Sequence, residues 1–188
     1  KLEEFIPKLS QLIFQIDLGS MLDKTRRIQQ LVKAIGQRLS LSEAEQQIVD
    51  RTAELCKADL ATSMVVEMTE LQGVMGRYYA KLSGEPEEVA EGIFEHYLPR
   101  NAEDRLPEGK PGTLVGIADR LDSIAGLFAV GLAPTGSKDP FALRRAALGL
   151  VQLLIGKALE FDLDWGLTQA GKLLPVNFSE EDKQAAFE

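Results

Sequence analysis

Apolar residues recur at helical spacing along most of the chain, and this periodicity limits the fold more than any other feature. Near the start they follow the i, i+3, i+4, i+7 pattern of a helix with one buried face. The positions are Leu2, Phe5, Ile6, Leu9, Leu12, Ile13 and Ile16. Similar patterns predict helices over residues 21–39, 42–55, 60–82, 86–97, 113–132 and 139–159, with short helices in the tail. Because no segment alternates with the period of a strand, we predict an all-α fold.

Local signals mark several helix starts. Ser42 with Glu45 three residues later is typical of a capping box. Asp139, which a proline follows, is the predicted N-cap of the helix after it. Asp164 and Ser179 are the predicted N-caps of the short helices in the tail.

Two glycines lie inside the helix predicted over residues 60–82. Gly73 and Gly76 each cost about 1 kcal/mol relative to alanine in a helix, so we expect them where a neighbouring helix comes close. Gly84 is predicted to end this helix. Residues 99–112 are rich in proline, glycine and charge, and they predict a long loop of the kind that often carries function.

Composition excludes several classes of protein. With 45% hydrophobic residues the chain can form a core, and its single cysteine, which makes no internal disulfide, fits a reducing cytoplasm. A net charge of −8 repels nucleic acid on average, so any RNA contact needs a local basic patch. No stretch resembles a signal peptide or reaches the roughly 20 apolar residues of a membrane helix. Because both ends look cut, we expect a piece of a longer cytoplasmic protein that does not enter a membrane.

Three parts of the sequence are unusual enough to suggest a family. The first is residues 18–28. The second joins residues 56–60 to residues 67–80, which contain Thr-Glu-Leu-Gln-Gly. The third joins residues 117–122 to residues 134–145, which end in Asp-Pro-Phe-Ala-Leu-Arg-Arg. Together they resemble the beta subunit of the bacterial two-subunit glycyl-tRNA synthetase, and the resemblance covers most of the chain.

The resemblance implies a part in joining glycine to its tRNA with ATP. In that family the alpha subunit holds the adenylate-forming site, and the beta subunit recognises and positions tRNA. The implied partners are the glycine tRNA and the alpha subunit. ATP and Mg²⁺ are implied only for the whole enzyme, so we expect no cofactor and no catalytic residue in this chain. The resemblance further implies an HD-type helical domain over residues 1–138. Residues 139–188 would then be a helical extension that leads into an anticodon-binding region.

An active HD-type domain holds a metal with a histidine, an adjacent His-Asp pair and a distant aspartate. Matched by helix order, these positions fall on Asp23, Ala58, Asp59 and Asp119. Ala58 has no ligand atom, so we predict a vestigial site without a metal. The alternative is weak binding of a hard ion such as Mg²⁺ by the three carboxylates. In the structural interpretation, Asp59 and Asp119 cap helices or pair with Lys57, Lys24 or Arg120.

Other reactive side chains have ordinary structural interpretations. His96, the only histidine, is predicted at a helix end, where the helix dipole stabilises a cationic ring; the alternative is contact with RNA or a partner. Cys56 is expected to be a buried thiol. Glu67 and Glu70 lie on one face of a predicted helix, and we favour salt bridges to Arg77 or to another helix over acid–base chemistry.

Basic clusters are the candidate tRNA contacts, because arginine in particular binds phosphate through a planar fork of donors. The candidates are Lys138, Arg144, Arg145, Lys24, Arg26, Arg100 and Arg105. Residues 131–138 end in Gly-Ser-Lys but lack the order and the preceding strand of a phosphate loop. The helix N-terminus after them is still expected to attract a backbone phosphate. For each cluster the alternative is ordinary solvated charge or internal pairing.

Three functions remain open at this point. A tRNA-binding scaffold of the synthetase predicts salt-sensitive tRNA affinity that falls when Arg144 and Arg145 are reversed in charge. A degenerate phosphohydrolase domain predicts metal-dependent activity that needs Asp59 and Asp119. A structural module that contacts only protein predicts no affinity for RNA.

Overall fold

A computed structural model describes residues 1–187, and it confirms the predicted all-α class. Within that range nine α-helices form the fold. They are α1 (Met21–Arg38), α2 (Glu43–Leu55), α3 (Ser63–Glu67), α4 (Val74–Ser83), α5 (Glu87–Glu95), α6 (Lys110–Ala129), α7 (Leu143–Gly156), α8 (Leu163–Lys172) and α9 (Glu180–Phe187). Three further segments are 3₁₀ helices: Leu2–Gln11, Ala58–Ala61 and Thr69–Leu71. None of the described helices is long and apolar enough to cross a membrane.

The first segment differs from the predicted α-helix. Residues Leu2–Gln11 form a 3₁₀ helix that contains Pro7, and proline disrupts α-helical hydrogen bonding because it has no backbone N–H. A short antiparallel hairpin follows, made of β1 (Ile13–Gln15) and β2 (Gly19–Ser20). Ile16, predicted to face inward, is 83% exposed at its turn. The helical periodicity therefore extended past the end of the real helix.

Helix α6 is the centre of the molecule. It packs against α1, α2, α5, α7 and α8, and most of its residues are buried. The aliphatic core around it includes Ile28 of α1, Leu121 of α6, Leu150 of α7 and Leu167 of α8. This core contains residues from both sides of position 138. The division into residues 1–138 and 139–188, and the HD-type kinship of the first part, stay predictions.

The single helix predicted over residues 60–82 was wrong. The chain instead turns several times between α2 and α4, and α4 begins only after Gly73, whose φ of +76° favours glycine. A Cβ atom on Gly76 would lie 2.7 Å from Cγ2 of Ile93 in α5. The prediction that these glycines allow a close neighbour is therefore confirmed. Gly84 ends α4 in the left-handed conformation, as predicted.

Helix N-caps agree with the sequence at two positions and differ at two. Ser42 and Glu45 form the predicted capping box, and Ser179 exchanges hydrogen bonds with Asp182 at the start of α9. Helix α8 is capped by Asp162 rather than by the predicted Asp164. The start of α7, which differs most, belongs to the site and is described below.

Candidate functional site

Asp119 of α6 lies at the centre of a buried group of charges. Its Oδ1 atom is 2.9 Å from the Lys24 ammonium of α1, and its Oδ2 atom is 2.8 Å from the Lys57 ammonium. Burial alone would raise the pKa of this carboxyl, but the two ammonium groups outweigh burial and hold the pKa well below its usual range. Asp119 is therefore a fixed anion that joins α6 to α1 and to the turn after α2.

His96 extends this group toward α5. Its Nδ1 atom donates to the carbonyl oxygen of Ile93 at 2.6 Å, and its Nε2 atom accepts from the Lys57 ammonium at 2.9 Å. Burial and the neighbouring Lys57 charge lower the pKa of the imidazole well below its ordinary value. The predicted position at a helix end is confirmed, since His96 is the C-cap of α5. The expected cationic ring is not found, because the buried ring is neutral.

A second buried carboxylate adjoins the first. Asp122 accepts from Lys24 at 2.9 Å and from Nε of Arg27 at 2.6 Å. Arg27 also donates to the carbonyl oxygen of Leu18, which precedes α1. One turn away, Arg120 donates to backbone carbonyls at the end of α5 and beyond it. These charges fix the positions of α1, α5 and α6 relative to one another.

The vestigial metal positions do not form one site. Asp23 caps α1 through a reciprocal capping box with Ser20. Asp59 accepts from the backbone N–H groups of Gly73 and Gly76, at 2.7 and 3.1 Å. Burial raises the pKa of the Asp59 carboxyl, which makes it a poorer metal ligand.

The buried group of charges also does not fit a metal ion. The oxygens of Asp119 face two ammonium groups, and Lys57 takes the His96 nitrogen that would coordinate a metal. No group of three His, Cys, Asp or Glu side chains within the described residues is arranged to hold an ion. The structural interpretation of Asp59 and Asp119 is confirmed, and we derive no metal chemistry from them.

Cys56, Glu67 and Glu70 are not placed for the reactive chemistry that their side chains could in principle perform. Cys56 is buried, and burial raises the pKa of its thiol to about 12, which keeps it protonated and unreactive. The expected salt bridge from Glu67 or Glu70 to Arg77 is absent, because Arg77 pairs with Glu91 of α5. The two glutamates also lie in different short helices, so the assumption of one shared helix face was wrong.

The predicted tRNA-binding cations fall into distinct environments. Lys24 is buried beneath the surface, and its ammonium group is held by Asp119 and Asp122, so it is not available to a phosphate. Three others are exposed but lie close to carboxylates of their own neighbourhood. Arg26 is 3.9 Å from Asp23, Arg100 is 2.7 Å from Asp104, and Arg105 is 3.4 Å from Glu95.

Lys138, Arg144 and Arg145 form the remaining cluster, at the start of α7. All three are exposed, and none forms a salt bridge with a carboxylate of residues 1–187. They are the predicted cations whose charge is not offset within the described chain.

The start of α7 differs from the predicted cap and from the expected phosphate site. The helix begins at Leu143, three residues later than expected, after Ala142 in the left-handed conformation with φ of +54°. The Asp139 carboxylate accepts from the backbone N–H groups of Leu143 and Arg144, at 2.7 and 3.0 Å. This helix N-terminus is already occupied by a carboxylate, so its N–H groups are not available to a phosphate.

Sequence reasoning named Lys57 and Arg120 as alternative partners of Asp59 and Asp119, but it missed the buried pair of Arg27 and Asp122. Lys57, Arg27, Arg120 and Asp122 are buried, although charged side chains are seldom fully buried unless they are paired. The available signal was their position, since Arg27 precedes Ile28 on the buried face of α1, and Arg120 and Asp122 flank Leu121 in the mostly buried α6. A charge within a buried helical face predicts a partner on a facing helix.

Comparison with known proteins places the chain in a family. A family model described as glycyl-tRNA synthetase beta subunit matches residues 1–187. Among similar proteins, the glycine–tRNA ligase beta subunit of Picosynechococcus is 52% identical over 171 residues, which are 91% of this chain and 24% of that protein. The beta subunit of Moorella thermoacetica is 53% identical over 163 residues, or 87% of this chain and 23% of that protein.

A more distant relative gives the same result. The glycine–tRNA ligase beta subunit of Myxococcus xanthus is 47% identical over 180 residues, which are 96% of this chain and 26% of that protein. The chain thus spans about a quarter of the length of the curated relatives it matches. The family model and these relatives agree with the resemblance seen in the sequence. The chain therefore belongs to the glycyl-tRNA synthetase beta subunit family.

Proposed function

We propose that this chain serves as a tRNA-binding and scaffolding part of a glycine–tRNA ligase beta subunit. In this proposal it supports ATP-dependent glycylation by helping to position the glycine tRNA against an alpha subunit. The adenylate-forming site, with its ATP and Mg²⁺, lies on that alpha subunit, and the assembled enzyme works in the cytoplasm. Family membership supports this assignment, and one feature of the structure carries the tRNA-binding part of it.

That feature is the cationic surface at the start of α7. Lys138, Arg144 and Arg145 are exposed and have no salt-bridge partner among residues 1–187, although the chain has a net charge of −8. Most other exposed arginines lie beside carboxylates, so their charges are already compensated. Free arginines in an otherwise acidic protein attract a polyanion to one place and repel it elsewhere.

The two arginines are held on a rigid support. Helix α7 packs against α6 through Leu143, Leu150 and Leu153, which are buried in the core. Asp139 fixes the first turn of the helix through the two N–H groups it accepts from. Because the backbone is fixed, the side chains of Arg144 and Arg145 lose little conformational freedom beyond their own rotamers when they bind phosphate.

A titration of labelled glycine tRNA with this chain tests the proposal. Fluorescence anisotropy is read at about 50 mM and about 200 mM salt, because phosphate contacts weaken over this range. We expect binding at the lower salt concentration that weakens at the higher one. The double variant Arg144→Glu, Arg145→Glu should weaken binding at least about tenfold.

A matched control separates a local effect from overall charge. Lys8 and Lys33 are exposed and form no salt bridge with residues 1–187, so Lys8→Glu with Lys33→Glu changes the net charge equally. We expect less than about a threefold loss in this control. An equal loss in both double variants would overturn the proposed surface. No tRNA binding at low salt would leave only the scaffolding role.

A further inference from the structure

A cleft beside the buried charges brings the unusual sequence stretches together. Glu70 and Gln72 come from the turn before α4, Tyr97 follows α5, and Phe141 and Arg145 flank the start of α7. The floor includes His96, Asp119 and Arg120. The cleft has a volume of about 500 Å³, within the roughly 300–1,000 Å³ typical of sites for small ligands. Segments far apart in sequence thus line one small, open site.

The charge of the cleft favours an anion at the rim nearest α7. Arg145 is exposed there without a salt-bridge partner in residues 1–187, and Arg100 lies on the same cleft beside Asp104. Asp119 on the floor is compensated by the ammonium groups of Lys24 and Lys57, so it adds little negative charge. A single phosphate group near Arg145 would meet an uncompensated guanidinium.

The walls of the cleft carry an aromatic ring and polar side chains, the groups that contact a nucleotide base. Phe141 is 39% exposed on the cleft, an unusual position for a phenylalanine in a loop of small and charged residues. Exposed aromatic rings stack with unpaired bases. Gln72 and Glu70 are exposed at the same cleft and present an amide and a carboxylate, groups that hydrogen bond to base edges. Glu70 forms no salt bridge with residues 1–187, so its carboxylate is available to accept.

The backbone at this wall is strained. Ala142 lies between Phe141 and α7 with φ of +54°, a conformation that non-glycine residues seldom adopt. Phe141 and Arg145, on either side of Ala142 in the sequence, both line the cleft. Strain of this kind is retained where surrounding contacts or function require it.

We propose that this cleft binds one unpaired nucleotide, with its phosphate at Arg145 and its base against Phe141, Gln72 and Glu70. The inference rests on the proposed function, because it assigns the nucleotide to the bound tRNA. A base-paired helix buries its base edges, so only an unpaired nucleotide meets all of these groups at once. Since a carboxylate accepts from an exocyclic amino group, Glu70 favours cytosine over uracil.

Two probes test the cleft, and the first of them does not use tRNA. The first is 5′-CMP compared with 5′-UMP, added at millimolar concentration to the 188-residue chain and followed by backbone NMR shifts. We expect CMP to shift the signals of Gln72, Phe141 and Arg145, and UMP to bind several-fold more weakly. Glu70→Ala should remove this preference. If neither nucleotide shifts these signals, the proposal that the cleft binds a nucleotide is overturned.

The second probe is tRNA affinity. Phe141→Ala should weaken binding of the labelled glycine tRNA by about 5- to 50-fold, as expected for the loss of one stacked base. Leu148→Ala is the matched control, since Leu148 is exposed on α7, the helix that follows Phe141, and does not line the cleft. If Phe141→Ala and Leu148→Ala bind tRNA as the wild type does, the nucleotide site is overturned and the proposed function stands. If tRNA does not bind at all but CMP shifts the cleft signals, the site stands and the tRNA assignment fails.

Discussion

The ammonium group of Lys57 lies 2.9 Å from the Nε2 atom of His96, deep beside Asp119. An ammonium group only donates hydrogen bonds, so Nε2 accepts and the ring proton is on Nδ1, which donates to the carbonyl oxygen of Ile93. The histidine is therefore neutral and its lowered pKa has a direct geometric cause. In this chain a buried lysine therefore joins a carboxylate to a neutral imidazole.

The neutral histidine predicts a pH-dependent stability. In the unfolded chain His96 takes up a proton near its ordinary pKa of 6.5, whereas in the fold the pKa is well below this value. The contribution of the neutral His96 ring to the free energy of unfolding is therefore complete above pH 6.5. It is lost as the pH falls from there toward the pKa in the folded chain. Between about pH 7.5 and about pH 5.5 the free energy of unfolding should fall by about 1.4 kcal/mol. Urea denaturation across this range measures the change.

Because His96 is the only histidine, a variant isolates its contribution. His96→Gln should lower stability at every pH but should lose most of the dependence between about pH 5.5 and about pH 7.5. An unchanged slope in the variant would show that other groups cause the effect. The comparison uses slopes, so a destabilised variant remains informative as long as it unfolds cooperatively.

The Lys57 ammonium predicts a large loss of stability when it is removed. Lys57→Met keeps an unbranched side chain only one atom shorter, but it leaves Asp119 and His96 without their shared partner. Removing one member of a buried ion pair costs about 3–5 kcal/mol, because the other charge stays buried. Lys33→Met, at an exposed position, should stay within about 0.5 kcal/mol of the wild type. A loss below about 1 kcal/mol for Lys57→Met would contradict the central role of this contact.

The contact of α4 with α5 predicts that Gly76 does not tolerate a methyl group. An alanine Cβ there would lie 2.7 Å from Cγ2 of Ile93 and 3.0 Å from Oδ2 of Asp59. Gly76→Ala should therefore destabilise by about 1–3 kcal/mol, although alanine favours helices elsewhere. Ile93→Ala removes the clashing atom, so the double variant should cost less than the sum of the two single changes. Strict additivity would show that the two helices do not meet there.

Metal removal should have no effect on the folded chain. Asp23, Asp59 and Asp119 serve three separate structural contacts, and the described residues hold no group of three ligands suited to an ion. We expect the thermal midpoint to stay within about 1 °C after addition of EDTA, Mg²⁺ or Mn²⁺. A rise of several degrees with Mn²⁺, or a calorimetric binding signal, would revive the metal hypothesis.

The sequence allowed the helical class to be predicted, since apolar spacing and the capping boxes at Ser42 and Ser179 act locally. The helix bounds predicted from the sequence were wrong where tertiary contacts override the local pattern. The methionines and leucines of residues 60–82 keep helical spacing, yet Asp59 folds back to cap α4 and breaks the run. The carboxylate of Asp139 also caps α7, but from outside the first turn rather than as its N-cap.

The candidate site was harder to predict because it depends on contacts between distant segments. Arg144 and Arg145 could be chosen from sequence as exposed cations on an amphipathic helix. Lys24 could not be excluded, because its partner Asp122 lies 98 positions away on α6. Glu70 was expected to pair with Arg77, but tertiary structure places Glu91 beside that arginine and leaves Glu70 at the cleft.

The salt dependence of tRNA binding tests the central claim most directly. Each phosphate contact contributes about 0.7 to 0.9 to the slope of log K against log salt. The change Arg144→Gln, Arg145→Gln removes two cations without adding repulsive charge. If both arginines contact phosphates, the variant should bind the glycine tRNA more weakly, with a slope lower by about 1.4 to 1.8. Wild-type binding with an identical slope in the variant would contradict the account, and would move any tRNA contact away from α7.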